Sequence, residues 1–202
     1  MKKCKVEGCN GVHRAKGYCS KHYAQYKRHG EVSERTKYDL NEIIEYDDYA
    51  EIILYNRQGE EISRALIDLD DIEKVRDYKW GLSNYYVYNK KINIYLHRLI
   101  MDCPDDMMVD HIDHNKLDNR KSNLRICTQQ QNNMNISLRS HNTSGYSGIY
   151  HDKSNNRFRA RITYNKNVIN LGSFKTLEEA IEARKQAELE YFGEYRNKED
   201  ED

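Results

Sequence analysis

The chain lacks any apolar run near the roughly 18–20 residues a membrane-spanning helix needs, and its start has no signal-peptide core. A membrane protein is excluded on that reading, and a cytoplasmic setting is expected. It lacks net charge, with 33 Lys/Arg against 33 Asp/Glu, which taken alone argues against a nucleic-acid partner. It lacks a disulfide framework: five cysteines is an odd number, and a reducing compartment leaves metal binding as the better use of clustered thiols. Apolar residues are also scarce, at 38% against 33% charged over 202 residues. One large core is therefore not expected, and several small modules with metal or sheet-helix cores are.

What is present is unevenly placed. Residues 1–37 hold ten Lys/Arg against three Asp/Glu, and residues 38–96 hold seven against thirteen. Residues 97–143 balance at six and six, while residues 147–175 hold six against one. Two basic ends thus flank an acidic middle, and the zero net charge hides them. Seventeen tyrosines in so polar a chain can fill small cores and can also stack at a nucleic-acid surface.

In CKVEGCNGVHRAKGYCSKHYAQYKRHG, four residues separate Cys4 from Cys9 and two separate Cys19 from His22. Two close pairs of thiolate and imidazole across a loop suit tetrahedral Zn2+. The segment, residues 1–37, is too short and polar to bury a core, so metal binding would supply its folding energy. His13 is a rival fourth ligand, and a disordered basic tail is the alternative. Ser20 is expected to cap a helix over Lys21–His29 that ends at Gly30 and carries Lys21, Tyr23, Tyr26, Lys27 and Arg28. Residues 31–41 read as a linker.

Residues 45–96 read as a small β-rich supporting region. AEIILYNRQGEEISRALID alternates across a turn at Asn56–Gly59, a hairpin pattern. DLDDIEKVRDYKW suits a short helix, and LSNYYVYNKKINIYL returns to strand character. The region either supports the following motif or is a packing module. Trp80 reads as core, and the negative charge keeps the region from phosphates.

Residues 97–136 contain LHRLIMDCPDDMMVDHIDHNKLDNRKSNLRICTQQQNNMN from Leu96. Asp110 and His111 are adjacent, Asn123 follows Asp110 by 13 positions, and Asn132 follows Asn123 by 9. Met107–Ile112 reads as a strand, Asp113–Asn123 as a turn-rich loop and Leu124–Cys127 as the returning strand. Thr128 with Gln131 is a capping-box pattern for a helix from Gln129 to about Met134. The stretch resembles the HNH nuclease family, in the variant whose last motif position is Asn. That resemblance implies a ββα-metal fold hydrolysing phosphodiesters, with His111 as general base and Asp110 and Asn132 as ligands of Mg2+ or Mn2+. Asn123 would hold the loop or the imidazole. The residue chemistry allows these roles: an imidazole titrates near neutrality and a hard cation takes oxygen ligands. Asp113–His114 repeats the pair, and Asp118 and Asn119 read as turn residues. His97 either orients a phosphate or is structural. Arg98, Arg120, Lys121 and Arg125 are candidate phosphate contacts. Cys103 and Cys127 are assigned no metal role. A polar loop in a DNA-binding module is the alternative for the whole stretch.

Residues 136–143 read as a second linker. Over residues 144–196, strands are expected at Gly148–His151, Arg157–Tyr164 and Val168–Phe174, then a helix opened by Thr176 and Glu179 and ending near Phe192. In RFRARI, Arg157, Arg159 and Arg161 share one face. With Tyr150 and Lys153 they are candidate DNA contacts. The runs GIYHDKSNNRFRARI and LGSFKTLEEAIEAR resemble the Apetala2/ethylene-response-factor type of DNA-binding domain. A charge ladder on a structural module is the alternative.

The expected fold class is α+β and multi-modular. The expected function is a metal-dependent DNA endonuclease of the HNH homing type. It would act on double-stranded DNA away from any membrane, as monomer or homodimer, and nick one strand per site. A DNA-binding regulator with an inactive fold is the alternative, and an RNA-processing nuclease is a third reading.

Overall fold

A computed structural model describes residues 2–32, 39–136, 138, 142 and 144–197. Residues 33–38 of the first expected linker, and 137, 139–141 and 143 of the second, lie outside the described residues. The architecture is mixed helix and strand with several small sheets. The chain divides into two compact units, residues 1–96 and 97–202.

The first unit opens with a two-stranded ribbon, β1 (His13–Ala15) and β2 (Tyr18–Cys19), followed by α1 (Ser20–His29). Gly30 ends α1 in the left-handed region at φ 82°, and its N–H reaches back to the Tyr26 carbonyl. The N-cap is Cys19 rather than the expected Ser20. The extended Cys19 backbone turns its thiol inward, so a residue of the thiol cluster also starts the helix.

An antiparallel meander follows: β3 (Ile43–Glu45), β4 (Ala50–Tyr55) and β5 (Glu61–Ile67). The β4–β5 turn is held by Asn56, whose side-chain oxygen accepts from the N–H groups of Gln58 and Glu60. The expected short helix is a 3-10 turn (Leu69–Asp71) running into α2 (Ile72–Val75). A second meander contains β6 (Gly81–Ser83), β7 (Tyr86–Asn89) and β8 (Ile94–Tyr95). Ile52, Ile53, Leu54, Ile67, Val75 and Val87 are buried, as is Trp80. The Trp80 indole N–H donates to the Val75 carbonyl, and Asn41 bonds both main-chain groups of Trp80. This is the core role expected for the single tryptophan.

α3 (Leu96–Ile100) leads into the second unit. There β9 (Met108–His111) pairs antiparallel with β10 (Leu124–Cys127), setting Leu124 opposite His111 and Arg125 opposite Asp110. α4 (Gln129–Asn132) closes the group with the expected capping box between Thr128 and Gln131. It packs against both strands.

The last module is a three-stranded antiparallel sheet, β11 (Ile149–Asp152), β12 (Arg157–Tyr164) and β13 (Asn167–Phe174). The β12–β13 hairpin turns on Asn165 and Lys166, both with positive φ, as a two-residue turn matching strand twist requires. α5 (Leu177–Tyr191) carries the capping box of Thr176 and Glu179. It covers one sheet face around Tyr146, Ile149, Ala160 and Ala180, with Leu177 and Ile181 packed alongside. A buried Arg184–Glu188 pair at 2.7 Å also lies on this side. Arg184 donates to the Arg161 carbonyl beside Gly148 (φ 74°), where a Cβ would collide with both.

Candidate active site

Asp110 and His111 end β9 and are 7% and 5% exposed. Each has a separate set of partners. Asp110 Oδ2 accepts from Arg125 Nε at 2.9 Å and Nη2 at 2.6 Å, and from Asn135 Nδ2 at 3.0 Å. Its Oδ1 makes no hydrogen bond among the described residues. The His111 ring meets the buried His97 edge-on, with centroids 5.1 Å apart. Burial pushes the His111 imidazole below its ordinary value, while the Asn119 amide and the carboxylates of Asp110, Asp113 and Asp118 pull partly back. Burial, with His111 and Arg98 close by, pushes His97 down to about 3. Both imidazoles are therefore neutral at pH 7.

The loop between the strands is braced by its own side chains. Asn123 Oδ1 accepts from the Asp113 N–H at 3.0 Å, and Asn123 Nδ2 donates to the Asp118 carbonyl at 3.0 Å. Asn123 thus holds the loop backbone rather than the imidazole. Asp118 is buried under Arg120, with their closest atoms 2.5 Å apart. Asn119 is fully buried and its Nδ2 donates to the Leu117 carbonyl. The rival pair separates: Asp113 is exposed and bonds the Asn115 N–H, while His114, at φ 63°, donates from Nε2 to the Asn135 carbonyl.

Sequence reading missed Asn135. It is 5% exposed, and its side-chain amide donates to Asp110 Oδ2 and to the carbonyls of His111 and Ile112. Asn132, three positions earlier, makes no hydrogen bond to Asp110 or His111 among the described residues. Within QQQNNMN no residue type marks one Asn over the others, and only the three-residue step from Asn132 hints at Asn135. Asn119 was read as a turn residue because LDNR has turn composition; its burial depends on the loop folding back. Sequence offers Arg125 as a candidate phosphate contact, and the strand register sets it opposite Asp110.

The other cations separate by what they bind. Arg98 donates to the carbonyls of Met107, Cys103 and Pro104 and pins that loop. Lys121 is exposed at the start of a 3-10 turn that ends on the buried Asn123. On the open face of the last sheet, Arg159 pairs with Asp152 at 2.7 Å, and Arg161 lies 5.7 Å over the exposed Tyr150 ring. Arg157 is half-buried and donates to the Ser173 carbonyl, so two of the three expected arginines stand fully out. Lys153 is exposed in the β11–β12 turn.

In the first unit, Cys4, Cys9, Cys19 and His22 bring their ligand atoms within 4.8 Å of one another. Cys9 and Cys19 sulfurs are 3.9 Å apart, and Cys4 Sγ is 3.2 Å from His22 Nδ1. Tetrahedral zinc with bonds of about 2.3 Å to sulfur sets its sulfurs about 3.8 Å apart, so the spacing fits. Burial pushes the Cys4 thiol up, but His22 and the N–H groups of Val6 and Cys19 outweigh it and bring it to about 6. His13, the rival ligand, accepts from the Gly17 N–H at 3.0 Å and lies outside the cluster. Cys127 behaves differently: burial and the Asp110 charge push it up to about 11, an inert core thiol.

A strand hairpin thus presents a buried Asp–His pair, with a braced loop between its strands and a capped helix after them. Residues 95–134 match the family model described as HNH endonuclease. A protein of Acanthamoeba polyphaga mimivirus named as an uncharacterised HNH endonuclease is 37% identical over 139 residues, covering 65% of this chain and 72% of the relative. The chain belongs to the HNH endonuclease family, and by class it is a hydrolase of phosphodiester bonds in DNA. No solved structure matches it.

Proposed function

We propose that the chain is a metal-dependent homing-type endonuclease that nicks double-stranded DNA, with Asp110, His111, Asn123 and Asn132 as its working residues. The observation that carries this is the Asp110–His111 pair: a buried imidazole held below its ordinary value, beside a carboxylate whose Oδ1 makes no hydrogen bond among the described residues. A neutral imidazole accepts a proton, so His111 takes one from the attacking water. Asn123 keeps the loop fixed around it. The donors fit a hard cation, since Asp110 Oδ1 and the Asn132 side-chain carbonyl are oxygen ligands suited to Mg2+ or Mn2+. When bound, the cation supplies charge neutralisation on the phosphate and the leaving 3′ oxygen.

The sheet face bearing Tyr150, Lys153, Arg159 and Arg161 is the proposed DNA-binding surface, on the Apetala2-like reading. The Cys3His cluster holds Zn2+ and fixes a basic helix against phosphates. One base and one cation serve one strand, so a monomer nicks and a homodimer would be needed for a double break. The experiment compares end-labelled duplex DNA, single-stranded DNA and RNA with Mg2+ or Mn2+. Cutting confined to one strand of the duplex is the expected result. Preferential cutting of RNA sinks the duplex reading, and binding without cutting of any substrate favours an inactive regulator.

A further inference from the structure

Arg125 does more than face Asp110 across the hairpin. Its Nη1 and Nη2 also donate to the carbonyls of Glu194 and Tyr195, and its guanidinium lies 4.8 Å over the Tyr195 ring. Residues 193–195 form the 3-10 turn that ends α5. One side chain therefore ties the end of the last module to the active-site carboxylate, across about 70 residues of sequence. A second link runs beside it, from Gln130 Nε2 on α4 to Asn165 Oδ1 in the β12–β13 turn, at 2.7 Å.

The geometry on Asp110 is selective. Both Arg125 nitrogens bind the same oxygen, Oδ2, and Asn135 adds a third donor there. The carboxylate is thus fixed in rotation, with Oδ1 presented. A guanidinium fork held at its far side by two carbonyls and an aromatic face has little freedom, which a lysine could not reproduce. We propose that Arg125 is a positioning residue through which the turn at residues 193–195 sets the cation affinity of the Asp110 site. The proposal rests on the reading of Asp110 as a metal ligand. It assigns the last module a role in the chemistry as well as in holding DNA.

The test uses the full chain, already loaded with zinc, and Mn2+ alone as the probe, titrated by calorimetry and by the electron paramagnetic resonance of free Mn2+. Four proteins are compared: the natural chain, Asp110→Asn, Arg125→Lys and Tyr195→Ala. Lysine keeps the charge but loses the fork. Tyr195→Ala leaves Arg125 in place and removes a half-buried ring, so it serves if Arg125→Lys does not fold. Asp110→Asn is expected to lose Mn2+ binding, and the other two to weaken it about 10-fold, as supporting contacts to a metal ligand do. Raising Mn2+ should then restore cleavage by Tyr195→Ala. Unchanged or tighter Mn2+ binding in both Arg125→Lys and Tyr195→Ala, with binding lost in Asp110→Asn, overturns the coupling. Undiminished binding in Asp110→Asn removes the ligand assignment itself, and the coupling with it.

Discussion

At the scale of single residues, the site is organised by buried amides. The Asn135 side chain donates to three acceptors and its Oδ1 lies 3.0 Å from His114 Nε2, so replacing it strands several buried groups at once. Asn135→Ala is expected to destabilise the second unit by about 1–3 kcal/mol in urea unfolding, and to lower cleavage further by releasing Asp110. Asn135→Asp sets a carboxylate against Asp110 and should be worse than Ala, which distinguishes the hydrogen-bond role from a packing role. The two histidines, both held below the ordinary value, each make a pH statement. His111 is held below its ordinary value and acts as the neutral form, so the acid limb of the cleavage rate should lie below that of an ordinary histidine, about pH 6.5. His97, down to about 3, is neutral in the fold but takes a proton near pH 6.5 when unfolded. A lowered folded value means that its stability contribution is complete above about pH 6.5 and is lost as pH falls toward 3. Thermal midpoints of His97→Phe should therefore fall less steeply between pH 7 and 5 than those of the natural chain.

At the scale of elements, local signals were readable wherever one residue type has one local job. The two capping boxes, Thr128–Gln131 and Thr176–Glu179, stand where the spacing put them, because a cap is closed within four residues. The β12 span, the Asn56 turn and the Gly30 stop were legible for the same reason. The capping position of α1 was not: Ser20 looks like a cap, but Cys19, whose thiol joins the Cys3His cluster, stands at that corner. Register was also beyond sequence. Arg125 meets Asp110 only once the hairpin aligns, and Arg157 is half-buried with its guanidinium on the Ser173 carbonyl. The N-terminal element yields a prediction of its own. Stripping zinc with a strong chelator should abolish the α1 helix and its resonances, since residues 2–30 contain little other than the cluster to fold around. Far-ultraviolet dichroism and tryptophan fluorescence measure this together: helix is lost while Trp80, in the β-rich part, keeps its buried signal.

At the scale of the whole molecule, the charge distribution assigns the work. The nuclease stretch, residues 97–143, is charge-balanced, so affinity for DNA must come largely from the basic ends. Replacing Arg159 and Arg161 together by Gln should weaken duplex binding and lower the slope of log K against log salt concentration by about 0.9 per lost phosphate contact. The cleavage rate at saturating protein should change much less. A rate that collapses with affinity intact would contradict that division.

The central claim, that Asp110–His111 is a hydrolytic centre, is tested most directly by supercoiled plasmid with Mg2+ or Mn2+, comparing the natural chain with His111→Ala. Conversion to nicked circles by the natural chain is expected. In His111→Ala a loss of at least about 100-fold is expected, with binding to the same DNA nearly unchanged. Plasmid left supercoiled by the natural chain with either cation, or nicked equally fast by His111→Ala, would contradict the claim.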